Sequence, residues 1–168
     1  EKRARLESNT PFVFLTNQPF PRRRFLYYEL LEQIKNAKRF VRFTTPYFVP
    51  SRRLLRALIR ASRRGVEVSV LVPRNSDIYV VDLASHSFYE KLLKSGVHIY
   101  RGVKPFNHTK AGVIDGEWGT LGSLNLDSAS LRYNFEGNLV TSDKGFVSAL
   151  AEQFDSDCKS AEHLGKTS

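Results

Sequence analysis

The sequence predicts an α/β fold, a mixed β-sheet flanked by helices on both faces in a single domain. Three observations carry that expectation. Over residues 12–100, short apolar segments alternate with segments of helical period, which is the grammar of strand–helix–strand units. Beyond residue 110 the pattern becomes strand–turn–strand, which adds antiparallel pairs and makes the sheet mixed. A chain of 168 residues, 41% hydrophobic and 26% charged, fills one core of ordinary size.

Residues 1–10 are polar and lack a hydrophobic period, so they are expected to form an arm or former interdomain linker ahead of a folded unit over residues 11–160. The apolar segment 12–16 predicts a strand, and 24–38 predicts a helix with Leu26, Leu30, Leu31 and Ile34 on one stripe. Residues 40–44 form the next strand. Ser51 offers an N-cap to a helix carrying Leu54, Leu55, Leu58 and Ile59, with Gly65 placed to end it. The third unit repeats the pattern: strand 66–72, a cap at Ser76, core residues Leu83, Leu92 and Leu93, a stop at Gly96 and strand 97–100. Strand 110–114, the turn Asp115-Gly116 and strand 117–121 read as a hairpin, followed by a strand at 138–141. A helix over 143–158, turning Phe146, Leu150 and Phe154 inward, closes the unit. Residues 159–168 are expected to fray, with 161–168 a flexible tail.

The net charge is +9, which favours an anionic substrate or partner. One cysteine, Cys158, permits no internal disulfide, and no Cys/His spacing resembles a zinc site, so an intracellular setting without structural metal is expected. Apolar runs such as residues 12–15 fall far short of the ~20 residues of a spanning helix. The chain contains no Met, even at position 1, and is expected to be a piece of a longer polypeptide.

Chemistry concentrates in His108-Thr-Lys110-Ala-Gly-Val-Ile-Asp115, then Gly122-Ser123-Leu-Asn125, then Asn134-Phe-Glu136. On an extended strand His108 and Lys110 leave the same face, and the hairpin returns residues 122–125 to their side. Imidazole is a nucleophile at neutral pH, while an ammonium and an amide suit the oxygens of a phosphoryl transition state. A carboxylate must then accept the other ring N–H, and Glu136 is the candidate. His-x-Lys alone is uninformative, but Asp, Gly, Ser and Asn at fixed offsets bring coincidence to the order of 10⁻⁶.

These residues resemble the phospholipase D superfamily, whose signature is His-x-Lys, four residues, Asp, six residues, Gly-Ser-x-Asn. The segments Thr45-Pro-Tyr-Phe-Val-Pro50, Arg63-Arg-Gly-Val-Glu-Val68, Ser95-Gly-Val-His-Ile-Tyr100 and Asn125-Leu-Asp127 extend the likeness to the C-terminal half of bacterial cardiolipin synthases. The resemblance implies that His108 attacks phosphorus or protonates the leaving group, that Lys110 and Asn125 hold phosphoryl oxygens with Ser123 in support, and that Glu136 orients His108. Asp115 belongs to the same catalytic signature, although holding the hairpin suits it better than proton transfer. No cofactor or metal is implied. Such enzymes use two motifs, because one imidazole cannot be nucleophile and protonated acid in the same step, and this chain has one. The second is expected from another half of the same polypeptide or from a homodimer mate.

The implied function is phosphatidyl transfer of cardiolipin synthase type through a phosphohistidine, on anionic phospholipid, at the cytoplasmic face of the cell membrane and held there peripherally. The alternatives are a phospholipase D or nuclease-type phosphodiesterase acting as a symmetric homodimer, and a non-catalytic anionic-phosphate binding or dimerisation domain. Arg53, Arg56, Arg60 and Arg63 recur at helical spacing opposite the leucine face. That stripe suits a solvated helix or anionic headgroups; without interleaved aromatics, nucleic acid ranks behind lipid. Tyr47 and Phe48 suit either a substrate entrance or the core. His86, His98 and His163 read as structural, and Cys158 as filling space.

Overall fold

The computed structural model describes residues 11–19, 24–74, 79–102, 108–128 and 130–165. The strands are β1 (Phe12–Asn17), β2 (Phe40–Thr44), β3 (Glu67–Pro73), β4 (His98–Gly102), β5 (Ala111–Ile114), β6 (Trp118–Gly122), β7 (Glu136–Thr141) and β8 (Glu162–Leu164). The helices are α1 (Phe25–Asn36), α2 (Arg52–Arg63), α3 (Tyr79–Leu93), α4 (Ser130–Tyr133) and α5 (Lys144–Lys159). All eight strands join one sheet in the order β1-β7-β6-β5-β2-β3-β4-β8. β2, β3 and β4 are parallel, and the remaining neighbours pair antiparallel. The mixed sheet expected from sequence is thus a parallel centre extended by a hairpin on one side.

The helical stripes do what their spacing requires. Leu26, Leu30 and Ile34 of α1 and Leu54, Leu58 and Ile59 of α2 are buried with Val41, Phe43, Val68 and Val70 of the sheet in one core. Each such side chain contributes about 1.5–3 kcal/mol on leaving water. Gly112 lets β5 enter that core, since a Cβ there would lie 2.5 Å from the Phe43 ring. The Ser51 hydroxyl accepts from Leu54 N–H at 3.2 Å and starts α2. Gly65, at φ +88°, ends it in the left-handed conformation that a side chain would resist. α5 covers the opposite face with Val147 and Phe154 buried; Phe146 lies further out, edge-on to Phe12 at 5.8 Å.

Several expectations need correction. β7 begins at Glu136, two residues before the predicted 138, because Glu136 already pairs with Asn17 of β1. Within the expected tail, Glu162–Leu164 form edge strand β8 against β4. Aromatic stacking drives that docking, with His163 stacked on Tyr100 at 4.6 Å and its Nε2 3.1 Å from His98 Nδ1. The arm at 1–10, the cap at Ser76 and the side chains of Leu83 and His86 lie outside the described residues.

Candidate active site

Strand direction decides which residues meet. β2 runs toward Thr44, β5 leaves that same end after Lys110, β6 returns to it at Gly122, and β7 starts there at Glu136. The signature therefore splits: His108, Lys110, Ser123, Asn125 and Glu136 lie at one end of the hairpin, and Asp115 lies at the other, roughly 15 Å along the strand from Lys110. Pairing sets Gly122 beside Asn138, and Gly122 N–H donates to Lys110 C=O at 3.1 Å. A Cβ on Gly122 would fall 2.3 Å from Gly137 O and 2.5 Å from Asn138 Oδ1. No side chain fits there.

His108 is exposed, while Lys110, Asn125 and Glu136 are each no more than 9% exposed. Lys110 Nζ lies 2.8 Å from His108 Nδ1 and donates to His108 C=O at 2.8 Å. An ammonium can only donate, so Nδ1 is the acceptor in this contact. Burial pushes the Lys110 ammonium below the usual lysine value, and the Glu136 carboxylate works against that push. Glu136 Oε1 accepts from Asn134 Nδ2 at 3.4 Å. The Glu136 carboxylate thus also supports the ammonium beside the imidazole.

The 123–127 loop is held by residues that sequence reasoning did not single out. Asn138, buried in β7, accepts from Leu124 N–H at 3.0 Å through Oδ1 and donates to Thr120 Oγ1 at 3.0 Å. Ser123 Oγ accepts from Gly137 N–H at 3.0 Å. Asp127 caps α4, accepting from Ser130 N–H at 2.7 Å and Ser130 Oγ at 2.6 Å, and Asn125 Nδ2 donates to that Ser130 oxygen at 3.4 Å. Asn125 Oδ1 and both amide atoms of Asn17 are buried without hydrogen-bond partners among the described residues. Period-two alternation in β7 was the one signal available for Asn138; for Asn17 there was none. Of the two aromatics left open, Phe48 is in the core and Tyr47 is edge-on to His108 at 5.9 Å.

Asp115, expected in the catalytic set, sits apart from its other members, at the far end of the hairpin. At φ 57°, it accepts from the backbone N–H groups of Lys38, Arg39 and Phe40 at 2.8, 2.8 and 2.9 Å. Burial alone would raise its carboxyl, but those amides and the Arg39 guanidinium hold it below the ordinary aspartate value. It ties the hairpin to the start of β2.

The model of the family described as "Cardiolipin synthase, PLD-like domain" matches residues 30–158. The chain belongs to that family. It is 45% identical over 126 residues to cardiolipin synthase A of Cronobacter sakazakii, covering 75% of this chain and 26% of the relative. Cardiolipin synthase A of Serratia proteamaculans is 44% identical over 139 residues, 83% of this chain and 28% of the relative. The chain thus spans about a quarter of the length of the curated relatives it matches. In fold it is similar to Nuc, a phospholipase D family member from Salmonella typhimurium, with TM-score 0.76 at 18% identity over 92% of this chain and 98% of that one. It is also similar to phosphatidylserine synthase of Haemophilus influenzae, with TM-score 0.76 at 17% identity over 91% and 40%. The suspected superfamily and its α/β fold are therefore shown. Among the described residues no helix is long and apolar enough to cross a membrane, and no group of three or more His, Cys, Asp or Glu could hold a metal ion.

Proposed function

We propose that this chain is one catalytic half of a cardiolipin synthase-type phosphatidyltransferase. The observation that carries the reading is the convergence of His108, Lys110, Asn125 and Glu136 at one strand end of a cardiolipin synthase-like domain. A phosphoryl oxygen competes for the Lys110 ammonium and draws it off Nδ1; the ring then exchanges its proton through water from Nε2 to Nδ1, where Glu136 accepts the Nδ1–H hydrogen bond and Nε2 is left with its lone pair. Nε2 attacks phosphorus, the bond to the departing glycerol oxygen breaks, and a second imidazolium supplies that oxygen's proton. The incoming lipid alcohol gives its proton to the second imidazole, attacks phosphorus and breaks the P–N bond, which restores His108. Lys110 and Asn125 stabilise the charge developing on phosphoryl oxygens, with Ser123 holding the loop.

The second imidazole comes from another half of a longer polypeptide or from a second copy of this chain. Water as acceptor would give a phospholipase D. Exposed Tyr133 and Phe135, 74% and 73% exposed beside Glu136, offer an apolar border suited to acyl chains. The site accordingly takes an anionic phospholipid presented at a membrane surface, and no cofactor enters the steps above.

The test is His108→Ala in the purified protein, assayed for transfer between phosphatidylglycerol molecules, with digests of the parent, quenched in denaturant and kept at mildly alkaline pH, searched for phosphatidyl label on residue 108. Turnover should fall at least about 10³-fold with circular dichroism unchanged, and label should sit on His108. Retained turnover, or label on another residue, would overturn the assignment.

A further inference from the structure

Outside the site, α2 and α3 enclose a cleft of about 630 Å³. Arg56, Arg60 and Arg63 line one wall; Lys91 and Lys94 line the other with Glu90. Arg56 to Arg63 covers about 10 Å of helix, two turns on one face. Both helices run back from the His108 end of the sheet, since α2 delivers the chain to β3 and α3 to β4. The cleft therefore begins one turn inside the site end of α2 and extends away from it.

Charge is unbalanced there. Glu90 is taken by Lys94 at 2.5 Å, so among the described residues Arg56, Arg60, Arg63 and Lys91 face the cleft without a carboxylate partner. Cations at helix C-termini complement the helix dipole, which accounts for Arg60 and Arg63 on one wall and Lys91 on the other taken separately, and leaves Arg56, near the start of α2, unexplained. It does not account for pointing two cationic walls at each other, which costs Coulomb energy unless an anion lies between them. Arginine presents a planar fork that matches phosphate oxygens. Among the described residues no aromatic side chain lines the cleft to stack a base, and its volume suits one headgroup rather than an extended polymer.

We propose that this cleft is a second phosphate-binding site, separate from the His108 site, that docks the domain on the headgroups of anionic phospholipids. The test is partition of the purified protein onto phosphatidylcholine vesicles with and without phosphatidylglycerol. Arg56→Gln/Arg60→Gln/Arg63→Gln should weaken partition onto the anionic vesicles roughly 100-fold. Lys38→Gln/Lys144→Gln/Lys159→Gln, removing equal charge from exposed positions elsewhere, should weaken it far less. Turnover of the first variant should fall on vesicles and stay at the parent's level on substrate dispersed in detergent micelles. That micelle assay separates failure of docking from failure of the proposed chemistry. Equal losses in the two triple variants would overturn the proposal, because charge would then act without a site. So would cleft-dependent binding of inorganic phosphate or single-stranded oligonucleotide as tight as that of vesicles.

Discussion

The two ends of the β5–β6 hairpin belong to one sequence signature and obey opposite physics. At the Asp115 end the carboxylate is saturated by three backbone amides and nothing is left to react. At the Lys110 end an ammonium is buried against its preference, an imidazole is exposed, and the Asn125 carbonyl oxygen is buried without a partner among the described residues. Satisfied groups hold a fold; unsatisfied ones at the mouth of a site are available to a ligand. A signature can therefore mix residues that do chemistry with residues that place them, and spacing alone does not sort the two.

Glu136→Gln should separate the ends most strongly. Turnover should drop roughly 100-fold. Losing the carboxylate also removes the charge that supports the Lys110 ammonium, so the lysine pKa falls further, and the alkaline limb of the pH–rate profile should move to lower pH. An unmoved limb would mean that Glu136 does not act on Lys110.

Asp115→Ala should do the reverse, costing about 2 kcal/mol of stability in urea denaturation while leaving turnover per folded molecule near the parent's. Because the folded pKa of Asp115 is depressed, its contribution is complete above the unfolded value of about 4 and vanishes as pH falls through the lower folded value. Lost turnover in the folded variant would restore Asp115 to the catalytic group.

The smallest effect should come from a nucleophile-type side chain away from both ends. Burial pushes the Cys158 thiol up to about 12, with Asp155 and Asp157 adding to the push and Arg42 opposing it. Iodoacetamide at neutral pH should modify it at least about 100-fold more slowly than a free cysteine. Rapid alkylation would show that end of α5 to be open.

Much of the fold was legible because its signals are local. The leucine stripe of α2, its Ser51 cap and its Gly65 stop all lie within one stretch, and the hairpin announces itself at Asp115-Gly116. β8 was not legible, since Glu162–Leu164 is a strand only by virtue of the β4 edge and the Tyr100 ring it stacks on. Asn138 was hidden for a related reason: an Asn in a strand looks like surface until register puts it under the Leu124 amide.

From its letters alone the chain established an α/β domain of the phospholipase D kind and named the side chains to watch, because periodicity, caps and motif spacing are written along the backbone. Only the folded sheet decided which of those side chains meet. Strand direction put Asp115 at one end and Lys110 at the other, and burial turned Glu136 into a charge acting on the lysine. Direction and burial arise between segments distant in sequence, so no single stretch of the chain contains them.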